Sequence, residues 1–373
     1  MIYLDTAASY PILPEVKKSL LDAFENCFAN SASSHLLGES ALAKVNEVRE
    51  SLADEIGAFP SEIVFTSGAT ESNNIAFKSL LLNDESLSSK KHIVISSIEH
   101  KCIFAICDYF QKLGYEVSLV EPDVNGVITA ENVKAVIRED TALVSIMHVN
   151  NELGTINPIT EIGELCFSKG IIFHSDAAQS FCKTDIDVDD MNIDVMSFSA
   201  HKVGGPKGIG AVYIRDLRKR NLLPVIHGAG QEDGLRGGTV AAPLIIAFGK
   251  AIEVFQHAYS NFENGDPKSC FLKKLKENEI DYSINGQGNT LPHILSLSLP
   301  KTNVSVLVRE NEDTLCLAQG SACSSKEIEA SHVLTALGLT REQAEHTFRI
   351  SFTHTITNAD IDFLVSAIKK AAY

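Results

Sequence analysis

The sequence predicts an α/β protein in which a large domain on a mostly parallel sheet is followed by a smaller α+β domain. Three observations predict it. Short apolar, β-rich runs alternate with helix-patterned segments through the first half of the chain. These runs are continuously apolar, as strands covered on both faces are. The composition then turns polar and rich in Asn, Gly and Lys over residues 258–292, before an alternating apolar run resumes.

The elements follow in order. Ile63-Val64-Phe65 is the first strand of the large domain, with a helical pattern from Glu71 to Leu82. His92 to Ile95 is the next strand, with a helix from Lys101 to Leu113. Leu143 to Met147 precedes a helix from Glu161 to Ser168. Ile171 to His174 and Val195 to Phe198 complete the series. In the polar stretch, 261–268 is the most loop-like piece. Beyond it, Ile294 to Leu299 alternates like a half-exposed antiparallel strand, and helices are expected over Ala330 to Leu337 and Asn358 to Ala371. The expected division is a large domain over 14–257, with 1–13 and 258–373 forming the small one.

Composition narrows the function. The chain has 373 residues, 45% hydrophobic and 21% charged, as folded globular proteins do. Its 32 basic against 48 acidic residues give a net charge of −16, which argues against a protein whose main task is gripping nucleic-acid backbone. Tryptophan is absent. No apolar stretch approaches the ~18 residues of a membrane span, and Met1 to Asp5 has no basic segment leading into an apolar run. A cytoplasmic protein without membrane contact is expected. Eight cysteines are scattered without a C-x-x-C pair, which fits neither a zinc site nor a disulfide framework, so no metal is expected.

Three segments place chemistry at strand ends. Thr66 to Asn74 follows a strand and opens a helix; Gly68 permits a tight turn and Thr70 is a good N-cap type, so the segment is either an ordinary capped helix or a phosphate cradle. An apolar strand delivers Asp176 to its C-terminal end, as a helix cap, a metal ligand, an acid/base group or the partner of a protonated ring nitrogen. Ser199-Ala200-His201-Lys202 ends a third strand and runs into a glycine-rich turn. A lysine just past a buried strand is desolvated, which makes it a usable amine. Lys207, inside the turn, reads as a surface residue. Asp176 and Lys202 are 26 residues apart, and in this order they supply what pyridoxal phosphate needs: a carboxylate for the pyridinium nitrogen and an amine for the Schiff base.

These segments, with Tyr3-Leu4-Asp5, Glu99-His100-Lys101, Met147 to Gly154, Arg236 to Thr239 and Arg349 to Phe352, resemble the cysteine desulfurases of the NifS/IscS type, in the class V aminotransferase superfamily. The resemblance spans nearly the whole chain. It implies fold type I with a seven-stranded sheet, a homodimer, and pyridoxal 5'-phosphate bound to Lys202. It further implies that Asp176 pairs with the ring nitrogen, Gln179 with the ring hydroxyl, and that His100 stacks on the ring and moves protons. Ala69, Thr70, Ser199 and His201 are implied to hold the phosphate, with Thr239 reaching in from the second subunit, and Asn151 and Arg349 to bind the substrate carboxylate.

Leu317 to Ser325 surrounds Cys323 with small, flexible residues and reads as a mobile surface loop rather than core. The resemblance makes Cys323 the nucleophile that takes sulfur from L-cysteine, leaving L-alanine and a persulfide for an acceptor protein. The other seven cysteines are expected to pack. The pattern departs from the family at Asn30-Ser31, where a proline is usual, and at Ser9-Tyr10, where threonines are. Housekeeping members continue further past the position of Arg349, into a tail that docks an iron–sulfur scaffold. This weakens the expectation of iron–sulfur assembly and strengthens that of a specialised sulfur donor for thio-modification of tRNA or of the DNA backbone. A selenocysteine lyase, another class V lyase or aminotransferase, and a non-enzymatic scaffold on the same fold are the alternatives.

Overall fold

Buried apolar runs pair into one sheet. The computed structural model describes residues 1–83, 87, 89–260, 262, 266–319, 321–324 and 327–372, with only the backbone described for 321–324 and 327–330. After the short β1 (Ile2–Tyr3) come β2 (Ile63–Thr66), β3 (His92–Ser96), β4 (Glu116–Val120), β5 (Thr141–Ser145), β6 (Ile172–Asp176), β7 (Val195–Ser199) and β8 (Gly210–Ile214). Their spatial order is β2-β8-β7-β6-β5-β3-β4. β8 runs antiparallel to both neighbours and every other pairing is parallel.

Six of the seven strands are buried along their whole length. Neighbouring residues serve opposite cores, as the two-residue period of a strand requires. Phe65, Phe173, Met196 and Tyr213 pack on one face; Val64, Ile172, Val195 and Val212 pack on the other. Two strands of this sheet escaped the sequence reading. β4 is an edge strand, largely open to solvent, so its pattern is polar. β8 is hidden by the glycine-rich turn that leads into it.

Helices cover both faces. The first includes α1 (Pro14–Asn26), α2 (Leu36–Glu55) and the helix Ala242–Tyr259; the second includes α3 (Ala69–Leu81) and α4 (Lys101–Lys112). A separate antiparallel sheet is made, in spatial order, of Ala318–Gln319, Thr347–Ser351, Ile294–Ser298 and Ser283–Asn285. The run at 294 is antiparallel as expected, but not half-exposed. It lies between two partners and every residue of Ile294–Ser298 is buried. Its serines find partners inside: Ser298 Oγ is 2.6 Å from Thr347 Oγ1, and Asn285 Nδ2 donates to Ser298 Oγ at 2.9 Å. The polar stretch also holds a helix, Pro267–Glu277, capped by Asp266 and anchored by Phe271 and Leu275. The segment read as a loop around residue 323 folds back on itself as an antiparallel hairpin, Ser321–Ser324 with Glu327–Ala330. Self-pairing satisfies backbone groups that an open loop would leave to water. The N-terminus joins this half of the chain, since β1 pairs in parallel with Leu315–Cys316 and Asp5 bridges to Ser351.

Two contacts set the shape of the sheet's C-terminal edge. Gly210 lies against backbone: a Cβ there would meet Phe198 O at 2.4 Å and Gly68 Cα at 2.6 Å. Glu99 is fully buried past the end of β3, where its Oε1 accepts from Ser96 Oγ and Met147 N, both at 2.7 Å. Burial pushes its carboxyl up to about 8.

Gly210→Ala is expected to destabilise the fold by roughly 1–3 kcal/mol through overpacking against main chain, read as a lowered thermal midpoint. For Glu99, the unfolded side chain ionises near its ordinary value of 4.5 while the folded one holds its proton to about 8. Stability from this group is thus full below the first value and lost as pH rises through the second. Glu99→Gln is expected to flatten that decline in thermal unfolding at a series of pH values; an unchanged slope would contradict a protonated Glu99.

Candidate active site

A cavity of about 560 Å³ opens at the C-terminal ends of the parallel strands, where open α/β sheets place their ligands. β6 ends in Asp176 and β7 in Ser199, and the 3-10 turn Ala200–Lys202 carries His201 and Lys202 into the wall. The first turn of α3 brings Ala69 and Thr70, the start of α4 brings His100, and the turn after β6 brings Gln179. Asn151 enters from the loop after β5. Arg349 arrives from the strand Thr347–Ser351, so both sheets contribute.

Lys202 Nζ donates to the carbonyls of Ala7 at 2.6 Å and Ala8 at 2.9 Å. Burial, with the Arg349 guanidinium nearby, pushes its ammonium down to about 8, so a useful fraction is free amine near neutral pH. The Asp176 carboxylate is buried and oriented at both oxygens: Ala178 N donates to Oδ1 at 2.9 Å and Asn73 Nδ2 to Oδ2 at 2.8 Å. Gln179 Nε2 donates to Ala7 O at 2.7 Å. His201 is pushed down to about 4 by burial and by the charges of Lys202, Lys207 and Lys183. The His100 ring is open to the cavity, yet desolvation by its surroundings holds it below the usual histidine range.

Arg349 is held in place rather than free. Its Nη1 donates to Asn151 O at 2.9 Å, its Nη2 pairs with Asp5, and its buried Nε meets no partner among the described residues. A planar guanidinium with an unfilled donor suits a carboxylate ligand.

Thr70 is not the cap of α3. Gly68 is, at φ 146°, and it offers no side-chain bond to the first turn. The helix start is therefore open to the cavity, beside Ser199, whose hydroxyl a Cβ on Gly68 would meet at 3.4 Å. Uncapped N–H groups at the positive end of a 13-residue helix suit a phosphate. Together with the Lys202 amine and the Asp176 carboxylate, these groups fit pyridoxal 5'-phosphate.

Ten of the expected site residues thus meet in one cavity. Thr239 is exposed and does not line it. Cys323 lies in the hairpin, where its side chain is outside the described residues. Cys102, expected only to pack, lies in the cavity wall with its Sγ 3.0 Å from His100 Nδ1. Lys207 is exposed, as expected, but stands at the cavity's mouth. Sequence reasoning also missed the work of Asp5, of the Ala7 and Ala8 carbonyls, and of Asn73. Asp5 and Asn73 fall within stretches singled out for other reasons, and Ala7 and Ala8 lie between two of them, so a signal of place existed without a signal of role.

Comparison with known proteins agrees with this chemistry. Residues 2–364 match the family model for aminotransferase class-V. The chain is 40% identical over 375 residues to a cysteine desulfurase IscS of Stutzerimonas stutzeri, covering 99% of this chain and 92% of that one. It is also 40% identical to a mitosomal cysteine desulfurase of Encephalitozoon cuniculi, over 99% of this chain and 86% of that one. Among solved structures, SspA in complex with cysteine superposes with a TM-score of 0.85 at 44% identity, covering 96% of this chain and 100% of that one. The chain belongs to the class V aminotransferase family and, within it, to the pyridoxal-phosphate-dependent cysteine desulfurases.

Proposed function

We propose that desulfuration here ends on Cys323 and that the sulfur leaves as a persulfide for an acceptor protein. The observation that carries the reading is the meeting of the Lys202 amine, the Asp176 carboxylate and the Arg349 guanidinium in one cavity. Lys202 would hold the cofactor, Asp176 its ring nitrogen, Gln179 its ring hydroxyl, and the start of α3 with Ser199 and His201 its phosphate. When bound, the cofactor withdraws electrons from the substrate Cα.

Asn151 and Arg349 orient cysteine by its carboxylate, which takes the place Asp5 holds on the guanidinium. Lys202 Nζ takes the Cα proton; an amine held near 8 can both accept and return one. Cys323, as thiolate, attacks the substrate Sγ. The electron pair of the broken Cβ–Sγ bond stays on carbon, which takes up a proton to become alanine, and the sulfur remains on Cys323. Cys102 does not compete for this role. Burial and the charge of Asp176 push its thiol up to about 11, leaving it protonated at neutral pH.

A homodimer is supported by large apolar side chains left exposed on α1 and α2, including Leu21, Phe24, Leu36 and Leu37. Exposed Thr239, outside its own cavity, is available to the partner's. The cavity joins contributions from both sheets, which supports a large domain over 14–257 and a small one formed by 1–13 and 258–373. The seven described cysteines are all free thiols, which supports a cytoplasmic enzyme; no helix among the described residues is long and apolar enough to cross a membrane. With a net charge of −16, the enzyme hands sulfur to a protein rather than to a nucleic acid directly, including where thio-modified tRNA or DNA is the final product.

Lys202→Ala is expected to abolish both turnover and the visible absorption of the lysine-bound cofactor. Cys323→Ser is expected to keep that absorption and lose persulfide, alanine and sulfide formation. Normal sulfide release by this second variant would remove Cys323 from the mechanism.

A further inference from the structure

Cys102 and His100 stand at the first turn of α4, and two donors converge on one ring nitrogen. The Cys102 backbone N–H donates to His100 Nδ1 at 3.2 Å, which is the N-cap bond of the helix. Cys102 Sγ lies 3.0 Å from the same atom. A backbone amide only donates, so Nδ1 carries a lone pair and the hydrogen of the neutral imidazole is on Nε2. The sulfur has its own partner on the other side: Asn73 Nδ2 lies 3.3 Å from Sγ and donates to Asp176 Oδ2 at 2.8 Å. With Asn73 donating to sulfur, the thiol hydrogen is free to point at Nδ1.

We propose that Cys102 is a positioning residue that fixes His100 as the Nε2–H tautomer, through a hydrogen-bonded chain from Asp176 by way of Asn73 and the thiol to Nδ1. Protonating Nδ1 would remove the lone pair that accepts from the Cys102 amide and thiol and so lose the helix cap, so the ring meets the cofactor as a neutral group that offers hydrogen at Nε2. The charges around it divide: Asp176 favours the imidazolium, while Lys202, His332 and Lys101 oppose it. The inference rests on the reading of His100 as the residue against the cofactor.

The test is long-range proton–nitrogen NMR of the holoenzyme labelled with ¹⁵N-histidine, together with the pH profile of kcat/KM. The expected spectrum shows His100 as Nε2–H across neutral pH. Cys102→Ala keeps the amide bond and loses the thiol, and is expected to raise the His100 titration and the acidic limb of kcat/KM together, by roughly half to one pH unit for one lost hydrogen bond. Cys102→Ser supplies a hydroxyl and is expected to restore both. An Nδ1–H or imidazolium ring at neutral pH in the parent enzyme would overturn the proposal, as would identical His100 titrations in the Ala and Ser variants. A titration that moves while the kinetic limb stays put keeps the tautomer and overturns instead the placement of His100 against the cofactor.

Discussion

The parallel pairing of β6 with β7 is the constraint on which the site depends. It sets Asp176 opposite Ser197, so the carboxylate and the turn carrying Lys202 share one end of the sheet. Twenty-six residues of sequence are closed by three paired positions. Both strands are buried throughout, so a slip of one residue would turn each side chain toward the wrong core. Site geometry and core packing are therefore specified by the same contacts, and neither can drift without the other.

Around that pair, the groups are held by partners chosen for their polarity rather than their charge. Lys202 rests on two backbone carbonyls, and Asp176 on one amide and one side-chain donor. Neutral partners leave the amine depressed by burial and the carboxylate oriented, without an ion pair that would quench both. The N-terminal residues supply those carbonyls, which explains why β1 is tied to the far half of the chain: Ala7 and Ala8 must be brought back over the sheet edge. Arg349 follows the opposite rule. Its guanidinium pairs with a charged partner, the carboxylate of Asp5.

Much of this was legible in the sequence. The buried strands announce themselves as unbroken apolar runs, and Asp176, Ser199 and Lys202 sit where those runs end. β4 was illegible because an edge strand meets solvent and carries polar residues. The run at 294 misled in another way: alternating serines suggest a wet face, but here they hydrogen-bond to Asn285 and Thr347 inside the small sheet. Thr70 misled because cap preference describes side chains, and α3 begins on a glycine whose backbone lies against the sheet edge.

The sequence by itself determined the fold class and the cofactor chemistry, because these are written in local patterns: strand period, residues at strand ends, the spacing of a carboxylate and an amine; the family followed from the resemblance of its motifs. Only the tertiary structure decided how those groups are tuned. That Asp5 occupies Arg349, that Ala7 and Ala8 receive Lys202, and that Cys102 lines the cavity instead of the core are contacts between segments distant in sequence or on a helix face whose direction the pattern does not state. Local composition says which chemistry a residue can do; the partner brought to it across the fold decides its protonation and its direction.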